Sequence, residues 1–217
     1  MSIAAPETVL VAGDAGPIET LIETPSAIPV RAVAVCCHPH PLFGGSLTNK
    51  VIHTVARTAV AAGAEAIRFN FRGVGRSAGN HDEGRGELAD LIVVARWARA
   101  RHPEAPLWLA GFSFGAWITL RAHALLNPSR LLSVAPPVGR WDFSDVSRPA
   151  CPWLIVQGER DELVDASTVT SWAKNLDADV VIHRLSDADH FFHGRLHELR
   201  DVVMEFLTSN DSRRASR

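Results

Sequence analysis

The chain is predicted to fold as a single α/β domain, with about eight strands in a mostly parallel sheet, helices on both faces and no cap domain. Three observations lead there. From residue 31 onward, β-rich apolar runs alternate with segments of helical periodicity, and that alternation closes as a parallel sheet covered on both sides. At its centre, Pro106-Leu107-Trp108-Leu109-Ala110 runs into Gly111-Phe112-Ser113-Phe114-Gly115 and then into an apolar stretch over 116–126. That reads as strand, sharp turn and buried helix. No repeat, low-complexity tract or linker divides the chain, and a length of 217 residues suits one domain over 1–217.

Taken in order, residues 7–11 and 18–23 read as strands joined by a turn at Gly13-Asp14-Ala15-Gly16-Pro17, a hairpin spanning 7–24. Residues 31–37 form a continuous β-rich run, the pattern of a strand covered on both faces. It ends in His38-Pro39-His40-Pro41-Leu42-Phe43-Gly44-Gly45, too proline-rich to continue as strand or helix. A helix is expected over 46–62, with Val51, Ile52, Val55, Ala59 and Val60 on one side and Gly63 as its stop. A strand over 64–71 leaves through Asn70-Phe71-Arg72-Gly73-Val74-Gly75-Arg76-Ser77, and 87–100 has helical spacing. After the central turn come strands over 131–135 and 152–157, joined by a connection too short for a helical cap. Asp165 suits the N-cap of a helix carrying Val169, Trp172, Ala173 and Leu176. The last strand is expected over 180–185 and the last helix over 196–207.

Composition narrows the function classes. A net charge of −2 with both signs interspersed gives no footprint for nucleic acid or an anionic membrane. No apolar run approaches the length of a bilayer span, and residues 1–6 lack the pattern of a signal peptide. Three cysteines, with Cys36 and Cys37 adjacent in an apolar run, do not resemble a disulfide framework, so a cytoplasmic location is expected. The basic cluster Arg213-Arg214-Ala215-Ser216-Arg217 closes a polar tail over 209–217 that is expected to fray. Tyrosine is absent, which rules out any mechanism with a Tyr hydroxyl as acid, base or oxyanion donor.

The central turn points to chemistry. Its glycines suit a strand that turns abruptly into a helix, where a Cβ would clash with nearby backbone. The turn lifts the Ser113 hydroxyl to a helix N-terminus, where N–H groups and the helix dipole favour a developing anion. A serine hydroxyl needs a base, and the base needs a group to orient it. Both are available in loops after later strands, at Gly158-Glu159-Arg160-Asp161-Glu162-Leu163-Val164 and at Ser186-Asp187-Ala188-Asp189-His190-Phe191-Phe192. Glu159, Asp161, Glu162 or Asp165 could orient an imidazole, and His190 or His193 could be the base; Asp187 and Asp189 suit turn-forming roles. His38 and His40 form a His-x-His pair, but a third ligand would have to come from remote His53, His81 or His193, so no metal and no cofactor is expected. The glycines of Arg72-Gly73-Val74-Gly75 lack the spacing of a nucleotide fingerprint.

Over residues 30–207 the chain resembles the α/β-hydrolase fold family, and within it the small lidless bacterial serine hydrolases related to dienelactone hydrolases. The loop His38 to Gly45 matches their His-Pro-His-Pro-x-x-Gly-Gly, and Asn70 to Ser77 matches Asp-x-Arg-Gly-x-Gly-x-Ser, with Asn in place of the usual Asp. The resemblance implies a catalytic Ser113, Asp161 and His190, in the chain order known for this fold. It implies an oxyanion hole from the N–H of Phe114 and a second donor in the His-Pro-His-Pro loop. Alignment on the Gly-Gly end favours Leu42, which is the expected donor beside Phe114; alignment on the strand end would favour His40. The expected partner is a small acyl substrate, bound at an open site lined by Leu42, Phe43, Trp141, Phe143, Phe191 and Phe192. The expected activity is carboxylester cleavage; the same three residues would also serve thioester or amide cleavage or acyl transfer. A binding module on the same scaffold is the reading from another class.

Overall fold

Alternate residues of a strand face opposite ways, so a sheet apolar throughout carries a core on each side. The computed structural model describes residues 4–26 and 29–209. The chain runs β1 (Glu7–Gly13), β2 (Gly16–Glu23), β3 (Ala32–Cys37), α1 (Lys50–Ala61), β4 (Ala64–Phe69), α2 (Arg85–Arg101), β5 (Leu107–Phe112) and α3 (Phe114–Leu126). It continues through β6 (Arg130–Val134), β7 (Trp153–Gly158), α4 (Ala166–Asn175), β8 (Val180–Leu185) and α5 (Leu196–Thr208). The eight strands form one sheet in the order β1-β2-β4-β3-β5-β6-β7-β8. Within it β1 pairs antiparallel with β2 and β2 with β4, while every other neighbour is parallel. The single-domain α/β fold expected from the alternation is the one observed.

Val33, Val35 and Cys37 of β3 enter the core beneath α2, α3 and α4, while Ala32, Ala34 and Cys36 enter the core beneath α1 and α5. Between β6 and β7 the chain forms turns and no helix, so nothing caps the C-terminal edge of the sheet there. Among the described residues no helix is long and apolar enough to cross a membrane. The basic cluster over 213–217 lies outside the described residues.

Two boundaries differ from the sequence reading, each for a local reason. Helix α1 begins at Lys50 and not near 46, because Asn49 caps it: its Oδ1 accepts the N–H of Val51 at 3.0 Å and of Ile52 at 3.3 Å. Strand β4 ends at Phe69 because only one more residue keeps to the β2 ladder and the next leaves it for a side chain. Asn70 N–H donates to the Glu19 carbonyl of β2, and Phe71 N–H donates to Nε2 of His38 at 3.0 Å. Asn70 also donates from Nδ2 to Glu19 Oε2 at 2.7 Å and accepts Leu47 N–H at 2.8 Å. An aspartate there would set one carboxylate against another, which gives the departure from the family pattern a physical reason.

His38 is fully buried and joins two loops at this end of the sheet. Its Nδ1 bonds the Pro39 carbonyl at 2.6 Å while Nε2 accepts from Phe71, so the ring is neutral with its proton on Nδ1. Burial pushes its pKa down to about 4. The unfolded chain therefore holds more protons than the native one between the ordinary histidine value and about 4. Stability is complete above that window and is lost as pH falls through it, by about 3 kcal/mol. Thermal melts across this range should show that fall, with a shallower slope for His38→Asn. An unchanged slope in the variant would remove His38 as the cause.

Candidate active site

Ser113 is the hinge between β5 and α3. Its backbone has φ 52° and ψ −117°, a conformation that costs an L-residue energy, and its amide is tied to the Val134 carbonyl of β6 at 2.8 Å. The flanking glycines make that hinge possible. A Cβ on Gly111 would lie 2.2 Å from the Gly115 carbonyl oxygen, and one on Gly115 would lie 2.3 Å from the carbonyl oxygen of Cys37. The turn is thereby pressed against the start of the His38–Gly45 loop.

The loops after β7 and β8 meet above this hinge. Glu159 N–H donates to the Leu185 carbonyl at 2.9 Å, Arg160 N–H donates to the Ala188 carbonyl at 3.0 Å, and a Cβ on Gly158 would collide with the Ala188 carbonyl at 2.3 Å. This contact sets Asp161 beside His190. Asp161 Oδ2 lies 2.8 Å from His190 Nδ1, and His190 Nε2 lies 3.1 Å from Ser113 Oγ. His190 is 2% exposed and Ser113 8%, so the series is largely shielded from solvent.

Asp161 is held as an acceptor. Its Oδ1 takes the N–H groups of Leu163 at 2.9 Å and Val164 at 2.8 Å, and its Oδ2 also takes Gln157 Nε2 at 2.8 Å. Burial alone would raise its pKa. The hydrogen bond and charge of His190, with the two backbone N–H groups, outweigh that and hold the carboxyl below its ordinary range.

The other acids are committed elsewhere. Glu159 pairs with Arg184, and Asp165 caps α4 by accepting Thr168 N–H at 2.7 Å. Asp187 faces Arg160 and Arg195, and Asp189 holds His193 Nδ1 at 2.7 Å. Glu162 Oε2 accepts the backbone N–H of His190 at 3.3 Å and so steadies that loop without touching the imidazole.

The His38–Gly45 loop is folded on itself. The N–H groups of Phe43 and Gly45 both donate to the His40 carbonyl, and Leu42 N–H donates to His40 Nδ1 at 3.2 Å. The sequence reading takes Leu42 as the second donor toward Ser113, with His40 as the alternative; the Leu42 N–H is turned into the loop. The His40 ring stands among Phe43, His81, Phe114 and Trp141, with centroids 4.7–5.5 Å away. Burial and the neighbouring His81 lower its pKa.

The six expected lining residues divide. Leu42 is 70% exposed, Phe43 84% and Phe191 39%, and Trp141 is half-buried. Phe143 and Phe192 require correction. Phe143 is buried and meets Trp172 edge-on at 4.9 Å, and Phe192 is fully buried in the core under α5. Proximity to His190 in sequence does not decide which way a side chain turns: Phe192, at φ 54°, turns inward while Phe191 stays at the surface.

Of the imidazoles considered as metal ligands, only His40 and His81 are seen in ring contact with each other, with centroids 4.8 Å apart. His38 bonds backbone, His81 lies 2.8 Å from Glu87 Oε1 and His193 is paired with Asp189. Among the described residues, no three His, Cys, Asp or Glu side chains come together as a metal site. Sequence reasoning missed Gln157 as a neighbour of this series. The one visible signal was a lone polar residue ending the apolar run Trp153-Leu154-Ile155-Val156.

Comparison with known proteins agrees with this architecture. Residues 43–205 match the family model described as an alpha/beta hydrolase domain. A crystal structure from Xanthomonas campestris, described as an α/β serine hydrolase without a lid, is 44% identical, with a TM-score of 0.89 over 94% of both chains. An α/β serine hydrolase homologue from Coxiella burnetii is 42% identical, with a TM-score of 0.88 over 92% of this chain and 96% of that one. An uncharacterized protein of Rickettsia prowazekii is 33% identical over 195 residues, 85% of this chain and 82% of its own. The chain belongs to the alpha/beta hydrolase domain family, as a serine hydrolase whose sheet edge carries no lid.

Proposed function

We propose that the protein cleaves a small carboxylic ester through an acyl-enzyme on Ser113. The reading is carried by one observation, the series from hydroxyl to imidazole to carboxylate with separations of 3.1 and 2.8 Å. His190 Nε2 takes the hydroxyl proton as Ser113 Oγ bonds the acyl carbon. Asp161 holds the Nδ1 proton and stabilises the imidazolium, which its own depressed pKa suits it to do. The developing oxyanion is received by Phe114 N–H at the start of α3 and by His40 N–H, the latter because Leu42 N–H is already engaged. The bond to the leaving oxygen then breaks, and His190 returns the proton to it. Water attacks the acyl-enzyme with His190 as base, and the carboxylic product departs as Ser113 regains its proton.

Leu42, Phe43, Trp141 and Phe191 rim the site on this reading, and an uncapped rim suits a compact acyl group better than a long chain. Cys36 and Cys37 lie buried side by side in β3, and a cytoplasmic location is part of this reading. A fluorophosphonate probe, followed by identification of the modified peptide, tests the assignment. Labelling confined to Ser113 is expected; labelling of another residue, or none, would overturn it. Esters should turn over faster than matched thioesters and amides; the reverse order would change the substrate class.

A further inference from the structure

We propose that Gln157 is a positioning residue for the reaction, holding the Asp161 carboxylate in the orientation and charge state that the His190 imidazole needs. The proposal rests on the hydrolase reading above, because it gives Gln157 its effect through Asp161.

Gln157 is the next-to-last residue of β7, and it is fully buried. Its Nε2 lies 2.8 Å from Asp161 Oδ2 and 3.4 Å from each of the Gly158 and Val164 carbonyl oxygens. Three acceptors therefore surround the amide nitrogen, and an ionised carboxylate can only accept. A flipped amide would point oxygen at oxygen, so the orientation of the side chain follows from its surroundings. The other end is unsatisfied: Gln157 Oε1 is buried with no hydrogen-bond partner. A buried amide oxygen left without a donor costs stability, and an apolar side chain of equal length would avoid that cost. The amide is thus poorly matched to a purely structural role and well matched to the carboxylate.

The consequence for the chemistry follows from sharing one oxygen. Oδ2 receives both Gln157 Nε2–H and His190 Nδ1–H, while Oδ1 receives two backbone N–H groups. With donors on both oxygens, the carboxylate cannot rotate Oδ2 away from His190. A second donor on Oδ2 also lowers its basicity, so the proton stays on Nδ1 when Nε2 takes the proton of Ser113. The other charged groups near this position are turned away: Glu159 pairs with Arg184, Arg160 with Asp187, and Glu162 bonds the His190 backbone.

Two variants test this against a short p-nitrophenyl ester. Gln157→Met keeps the length and removes the donor. Its kcat should fall roughly ten- to hundredfold, the worth of one hydrogen bond to a charged acceptor, with KM within about threefold of wild type. Gln157→Glu keeps a donor only while its carboxyl is protonated. Its activity should approach wild type at the acid end of the profile and fall on a new limb as the introduced carboxyl ionises beside Asp161. That limb should be absent from wild type and from Gln157→Met. Wild-type kcat in Gln157→Met with a wild-type-shaped profile in Gln157→Glu would overturn the proposal. So would failure of Gln157→Met to fold, since that would make the amide structural. Loss of Ser113 labelling in the wild type strikes at the hydrolase reading; normal labelling with an indifferent Gln157 strikes at this proposal alone.

Discussion

Ser113→Ala is expected to lower turnover of a short p-nitrophenyl ester by at least ~10⁴-fold, because no acyl-enzyme can form without the hydroxyl. Folding should be nearly untouched, since Ser113 contributes its backbone to the turn while its hydroxyl bonds His190. Ser113→Gly separates function from strain. At φ 52° and ψ −117° the serine backbone stores about 1–3 kcal/mol that glycine avoids, against ~0.5–1 kcal/mol of extra chain entropy lost on folding. The glycine variant should therefore be as inactive as the alanine variant and melt at or up to about 10 °C above it. Kinetics and thermal melts on the two purified variants decide both points. Retained activity in either removes Ser113 as the nucleophile, and a glycine variant that melts well below the alanine one removes the strain.

Asp161→Asn should reduce kcat by roughly 10³–10⁴-fold with little change in KM. The replacement keeps one oxygen, and the backbone donors of Leu163 and Val164 will claim it. The new amide nitrogen then occupies the place of Oδ2, where Gln157 Nε2–H and His190 Nδ1–H already point as donors. His190 can relieve that clash only by moving its proton to Nε2, which leaves it unable to accept from Ser113. The wild-type carboxylate has no such difficulty: its depressed pKa keeps it ionised through mildly acidic pH, and its contribution is lost only as pH falls through that lowered value. A pH–rate profile of wild type and variant, with the nitrogen chemical shifts of His190 by NMR, would expose the change of tautomer. Near-wild-type kcat in the variant would exclude Asp161 from the series.

The strand runs, the helical spacings, the Ser113 turn and the cap at Asp165 were legible because each depends on residues near one another in the chain. Periodicity records which side of a strand or helix is apolar, and the two glycines around Ser113 record a local steric demand that the 2.2 and 2.3 Å approaches make explicit. The sequence by itself therefore determined the α/β architecture, the absence of a cap between β6 and β7, and which loops could supply an acid and an imidazole. Only the tertiary structure decided which side chains face the site. Phe192 turns into the core under α5 while its neighbour Phe191 stays exposed, and His190 meets Asp161 and Ser113 across 29 and 77 positions of the chain. Those outcomes depend on how loops from distant parts of the chain pack against one another, and no local pattern of residues encodes that packing.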